Sequence, residues 1–214
     1  MYSTLVRQFL SDEATILDAG AHFGEDTFKI SKLWPSGKVI AFEPNPLCFS
    51  TIQEQLPSHP NVVFYPAALG VKTGITQLYI SEGDTSGADT IMTPAMDDAL
   101  WKYMLPKDFS QTVEVPIWNL DEWAQKYGVK GIDFMHLDME GAEGMMLKAC
   151  PNILKTVSFI QIEYRHSKPF HDAMSYPEII KFLHEKGFNL LRCQEHKAAY
   201  FNIIGDALFI RSDI

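Results

Sequence analysis

At 214 residues the chain has room for one domain with a substantial core, and 46% hydrophobic with 21% charged residues argues against a disordered, collagen-like or repeat protein. A formal net charge of −9, with scattered lysines and arginines, lacks the basic face that a nucleic-acid partner requires. Cys48, Cys150 and Cys193 form no CxxC pair and read as reduced thiols without zinc; with no basic-then-apolar leader and no run of roughly 18 apolar residues, a cytoplasmic protein without a membrane partner is expected.

The first predicted strand is Thr15 to Ala21, a continuous apolar run of the kind buried on both faces. A helix follows from about Gly24, with Phe23, Thr27, Ile30 and Trp34 at helical spacing and Glu25 and Asp26 in its acid-favouring first turn. Pro35-Ser36-Gly37 stops it. The second strand is Lys38 to Glu43, and Asn45-Pro46 reads as an N-cap and first-turn proline opening a helix to about Leu56. A third strand, Val62 to Leu69, completes a strand-helix alternation that points to parallel, right-handed βαβ units.

Between Gly70 and Val115 the pattern breaks. Thr76 to Ile80 reads as a strand, residues 81 to 87 as loop chemistry, and the stretch at about 81–110 as an irregular insertion or lid. Order returns with Val113 to Ile117 and a short helix, Leu120 to Tyr127, whose Asn119 and Glu122 fit a capping box. Then come a strand at Ile132 to Met139, a helix at Ala142 to Cys150, and a strand at Val157 to Tyr164. A helix capped by Ser175 and Glu178 ends at Gly187, and strands Leu190 to Cys193 and Ala207 to Ile210 close the chain. The predicted fold is α/β, Rossmann-like: one domain over residues 1–214, with a seven-stranded, mostly parallel sheet, helices on both faces and an antiparallel final strand.

In such sheets ligands bind beyond the carboxyl ends of the strands. The first strand runs into Asp18-Ala19-Gly20-Ala21-His22-Phe23-Gly24, which lacks two glycines of a nicotinamide fingerprint. Asp18 would repel a diphosphate and suits an amine or sulfonium, so S-adenosyl-L-methionine (SAM) fits the charges. Glu43, at the end of the second strand, stands where an acid accepts hydrogen bonds from ribose hydroxyls. The plainer alternative is that Asp18 and Glu43 only cap turns.

The segment Ile132-Asp-Phe-Met-His-Leu-Asp138-Met-Glu140-Gly141-Ala142-Glu143 resembles the IDFxKxDxEGAE signature of FkbM methyltransferases. ILDAGAHFGEDT, VIAFEPNP and AALG are similar to that family too, so the likeness runs from Thr15 to Tyr164 and is poor between Gly70 and Val113. The resemblance implies a class I methyltransferase fold, SAM as cofactor, and O-methylation of a hydroxyl on a sugar, polyketide or related small molecule. It places Asp18, Gly20, Ala21 and Gly24 around the cofactor's amino-acid end, Glu43 at the ribose and Ala68 at the adenine. His22, Pro44 and Asn45, in the same two turns, join the expected cofactor contacts. Asp138 to Glu143 would stand where donor meets acceptor. His136 departs from the family, which commonly has lysine there.

Methyl transfer needs an aligned acceptor oxygen and a proton acceptor. Regular strand alternation would put His136, Asp138 and Glu140 on one side, with Glu163, Arg165 and His166 at the end of the neighbouring strand. Asp138, Glu163 and His136 are the candidate catalytic residues; a helix-capping role for Asp138 and a satisfied interior position for His136 are the alternatives. Asp138, Glu140, Glu163 and His166 also offer ligands for a divalent metal, which no spacing demands. N-methylation on the same fold and a SAM-binding module without turnover stay open.

Overall fold

The apolar runs become the inner strands of a sheet, because a strand covered by helices on both faces has no side left for polar residues. The computed structural model describes residues 2–81, 88–95, 109, 111–166, 168, 170–197 and 203–214. Its strands are β1 (Thr15–Ala19), β2 (Lys38–Phe42), β3 (Val62–Tyr65), β4 (Ala68–Gly70) and β5 (Gly74–Ile80). They continue with β6 (Gln111–Asn119), β7 (Phe134–Leu137), β8 (Phe159–Arg165), β9 (Phe188–Lys197) and β10 (Ile203–Arg211). Seven of them form the main sheet, in the order β3-β2-β1-β7-β8-β10-β9. β1 pairs parallel with β2 and β7, and β7 with β8, while β10 runs antiparallel between β8 and β9. This is the doubly wound arrangement with an antiparallel final strand that the sequence predicts.

The helices are α1 (Ser3–Val6), α2 (Glu25–Leu33), α3 (Phe49–Gln55), α4 (Leu120–Tyr127), α5 (Glu143–Ala149), α6 (Pro151–Leu154) and α7 (Tyr176–Glu185). Strand alternation divides the core between the two faces. Leu17, Ile40, Met135, Leu137 and Ile160 pack with Trp123, Met146 and Leu183 on one face. Ile16, Val39, Phe134 and Phe159 pack with Phe28, Ile30, Trp34 and Ile52 on the other. None of the described helices is long and apolar enough to cross a membrane.

Several boundaries differ from those predicted. The third strand breaks at Pro66, which has no N–H to donate to the ladder, and its second half leaves the main sheet. That half, β4, pairs with Ile117 to Asn119 of β6, and β5 pairs antiparallel along β6, giving a separate three-stranded sheet. The predicted strands at 76–80 and 113–117 thus belong to a second sheet, and the stretch at about 81–110 connects them. Of it, residues 82–87, 96–108 and 110 lie outside the described residues. The helix expected from Asn45 to Leu56 is instead a 3₁₀ turn over Pro46–Cys48, then α3, then a second 3₁₀ turn over Leu56–Ser58. Asn45 is nevertheless its N-cap, its side chain accepting from the Leu47 N–H at 2.9 Å.

Candidate active site

The strand order reverses between β1 and β7, the place where a crevice opens beyond the carboxyl ends of a doubly wound sheet. A cavity of about 270 Å³ lies there, near the lower bound of roughly 300 Å³ for small-molecule sites. The tips of three strands wall it: Ala19 to His22 after β1, Phe42 to Pro44 at β2, and Asp138 to Glu140 after β7. Ala67, Ala68, Leu69, Leu78 and Ile91 make an apolar side.

The turn after β1 approaches β7 closely. Gly20 has φ +89°, and a Cβ on it would collide with the carbonyl oxygen of Asp138, so only glycine fits. His22 also holds a left-handed φ of 50°, and its N–H donates to Glu43 Oε2 at 2.8 Å. The Asn45 N–H donates to Glu43 Oε1 at 2.7 Å. Glu43 is thus a buried carboxylate gripped by one backbone donor on each oxygen. Burial raises its pKa to about 7, against the lowering effect of those two donors.

Asp18 does something else. β1 and β7 are in register with Asp18 beside His136, and both share the face of Ile16 and Phe134, toward α2. His136 Nδ1 donates to Asp18 Oδ1 at 2.8 Å, and Thr27 of α2 donates its hydroxyl to Asp18 Oδ2. Asp18 is expected to contact the cofactor; its carboxylate lies against His136 and Thr27, and of that pair in register only His136 lines the cavity. Burial lowers the pKa of His136, but the hydrogen bond and charge of Asp18, with Asp138 beyond, outweigh it and push the imidazole up to about 9. At neutral pH it is a cation where the FkbM signature has lysine.

Of the other expected cofactor contacts, Gly20, Ala21, His22, Glu43, Pro44, Ala68 and Asp138 line the cavity. Gly24 and Asn45 do not. Gly24 takes φ +89° as the N-cap of α2 and faces Phe28, and the Asn45 side chain donates to Asp89 Oδ2.

The other end of the cavity collects acids. Leu137 pairs with Ile162 in register, so Asp138 and Glu163 follow as neighbours at the tips of β7 and β8. His136, Asp138 and Glu140 all line the cavity, but not by regular strand alternation: β7 ends at Leu137 and the chain turns through left-handed Glu140 (φ 50°) and Gly141 (φ 99°). The turn is braced: Glu143 Oε1 accepts the N–H groups of Met139 at 2.7 Å and Gly141 at 3.3 Å, and Thr90 donates its hydroxyl to the Glu140 carbonyl at 2.8 Å. It swings the Glu140 carboxylate onto Arg165, whose Nη2 also reaches Glu163 at 3.2 Å.

Carboxylate oxygens of Asp138, Glu140 and Glu163 come within 4.8 Å of one another. Burial, then the charge of Glu140, raises Glu163 to about 8; Asp138 is exposed on the open cavity, and its pKa is raised by the protein mass around that cavity and by the charges of Glu163 and Glu140. Asp138 opens into the cavity; Glu163 stands behind it, off the cavity wall. As a metal centre the cluster fits poorly, since the Arg165 guanidinium already neutralises two of the three acids. His166, the fourth proposed ligand, is outside the cluster and pairs with Glu195 at 3.5 Å.

Arg165, to which the sequence reading assigned no role, is the residue that ties Glu140 to Glu163. A signal for it exists, since residues two apart on a strand share a face and Arg165 follows Glu163 at that spacing.

Residues 18–190 match the sequence profile of the Methyltransferase FkbM domain. Among curated proteins the chain is 22% identical over 174 residues to 2-O-methyltransferase NoeI of Sinorhizobium fredii, covering 80% of this chain and 71% of that one. It is 23% identical over 197 residues to Methyltransferase sdnD of Sordaria araneosa, covering 83% and 74%. Among solved structures it resembles an rRNA methylase from Streptococcus thermophilus (TM-score 0.54, 12% identity, 99% and 94% of the chains). It also resembles magnesium protoporphyrin IX methyltransferase from Synechocystis PCC 6803, solved with bound SAM (TM-score 0.53, 10% identity, 98% and 78%). At these identities the structural likeness speaks for the fold alone, which is that of the class I methyltransferases.

Proposed function

Because this chain belongs to the FkbM family of SAM-dependent methyltransferases, we propose that it methylates a hydroxyl oxygen of a small molecule in the cavity at the tips of β1, β2 and β7. The observation that carries this reading is the pair of unlike carboxylate settings in one cavity. Glu43 is fixed by backbone donors, as a ligand-holding group must be. Asp138 is crowded by other acids, as a proton acceptor for a weakly acidic hydroxyl must be.

The residues present suit SAM, which when bound supplies an electrophilic methyl on a cationic sulfur. Glu43 keeps one lone pair on each oxygen after accepting from His22 and Asn45, enough for two ribose hydroxyls. Gly20 and Ala21 let the backbone approach the amino-acid end, and the protonated His136, braced by Asp18, offers a positive charge to its carboxylate. Ala68 and Leu69 give the base an apolar wall.

At the acceptor end Asp138 takes the hydroxyl proton as the oxygen attacks. Its raised pKa narrows the gap to that of the hydroxyl, which favours transfer. Glu163, next to it, shares the proton, and Arg165 holds Glu163 and Glu140 in place. The chain's negative charge and the acid-lined cavity favour a neutral acceptor over a nucleic acid or another polyanion. The same reading takes residues 1–214 as one methyltransferase domain, with the stretch at about 81–110 as its lid. NoeI, named as an O-methyltransferase, supports oxygen as the target.

The test is release of S-adenosylhomocysteine from SAM across a panel of neutral hydroxylated acceptors. Turnover confined to hydroxyl compounds is the expected result. Turnover only with amines would move the reading to N-methylation, and binding without turnover on any acceptor would favour a module that does not catalyse.

A further inference from the structure

Asp89 belongs to the irregular stretch after β5, yet it lines the cavity beside Leu78 and Ile91. We infer that Asp89 is the hydrogen-bond acceptor that recognises the exocyclic amine of the cofactor's adenine. The inference rests on the reading that this cavity binds SAM and names a residue of that site to which no role has been given.

Asp89 is held from two elements. Oδ1 accepts the Ser81 N–H at 2.8 Å and the Ser81 hydroxyl at 3.0 Å, and Oδ2 accepts from Asn45 Nδ2. A carboxylate has about four lone-pair positions, so one remains, on Oδ2. A carboxylate fixed this firmly presents its last lone pair with little rotamer entropy to lose.

Asn45 sets the spacing. Its backbone N–H holds Glu43 while its side-chain amide holds Asp89, so one residue ties together two carboxylates of the same cavity wall. Glu43, at the tip of β2, sits next to the turn after β1. Asp89 comes from another element: Thr90 bridges to Tyr79 of β5, and Asp89 lines the same cavity as the apolar Ala68, Leu69, Leu78 and Ile91. In this proposal a nucleoside with its ribose on Glu43 lays its flat base against these apolar side chains, and Asp89, tied to Glu43 through Asn45, meets the edge of the base. Because an ionised carboxylate only accepts, the edge it selects must donate. Adenine presents an amino group there, whereas hypoxanthine presents a carbonyl oxygen that Asp89 repels.

The experiment is calorimetric titration of the full chain with S-adenosylhomocysteine and with S-inosylhomocysteine, its deaminated analogue. The wild-type protein is expected to prefer the adenosyl compound by about tenfold or more, as for a hydrogen bond to a charged group. In Asp89→Asn, whose amide can donate to a carbonyl, the ratio should fall to about threefold or less. Equal wild-type affinities would overturn the proposal with no variant needed, as would a ratio that survives in a folded Asp89→Asn protein. If the wild type bound neither compound, the underlying cofactor reading would fail, and the inference with it.

Discussion

The cavity's two ends are built from the same residue type and treat it in opposite ways. At the tips of β1 and β2, Asp18 and Glu43 each have their own donors: Thr27 and His136 for the first, two backbone N–H groups for the second. At the tips of β7 and β8, Asp138, Glu140 and Glu163 face one another, with one guanidinium shared by Glu140 and Glu163 and none on Asp138. A buried carboxylate with its own donors is a fixed anchor. One set against other carboxylates is a group ready to take a proton. The difference lies in what surrounds each acid, not in the acids themselves.

The largest effect should come from the crowded end. Asp138→Asn keeps the shape and removes the proton acceptor, so turnover should fall by about 10²- to 10⁴-fold in a steady-state assay. A fall of less than about tenfold would mean that Asp138 is no more than a strand-end acid. Next in size is the buried pair beneath the anchored end. Asp18→Ala leaves the His136 charge buried without its partner and should lower stability by about 3–5 kcal/mol in denaturant unfolding. Replacing His136 with glutamine in the same protein should recover part of that loss; strictly additive losses would show that the two side chains do not act as a pair.

The third prediction concerns pH and draws on both ends. Glu43 and Glu143 are raised from 4.5 to about 7, Glu163 to about 8, and His136 from 6.5 to about 9. Between the ordinary and the raised values the folded protein binds more protons than the unfolded chain, so its stability falls as pH rises. The contribution of His136 is fully present below pH 6.5 and is lost as pH rises through about 9. The melting temperature of the ligand-free protein should therefore drop from mildly acidic to alkaline pH, and a rise over that range would contradict these assignments. The smallest expected effect is none: chelators should leave turnover unchanged, because Arg165 already supplies the cation at the crowded end. Activity lost to a chelator and restored by magnesium would show that the acids hold an ion instead.

Much of the anchored end was legible in the sequence. Apolar runs buried on both faces announce parallel strands, and a glycine turn followed by a strand-terminal acid points to Gly20 and Glu43, which line the cavity. The direction of Asp18 was not legible, because it depends on a register with His136 across 118 residues of chain. At the crowded end, period-two alternation failed where Glu140 takes a left-handed conformation, a backbone event without a residue-type signal when the residue is not glycine. The second sheet was hidden because β4 is three residues long and its partner lies some 50 positions away. Asp89 was hidden because irregular chain has no period from which to read a facing direction.

The division of labour between anchor and proton acceptor is tested most directly by titrating S-adenosylhomocysteine into the wild type, Glu43→Gln and Asp138→Asn side by side. The account predicts near-equal affinity for the wild type and Asp138→Asn, and a loss of about 1.5–3 kcal/mol for Glu43→Gln. If Asp138→Asn lost as much affinity as Glu43→Gln, both ends of the cavity would be doing the same job and the account would be contradicted.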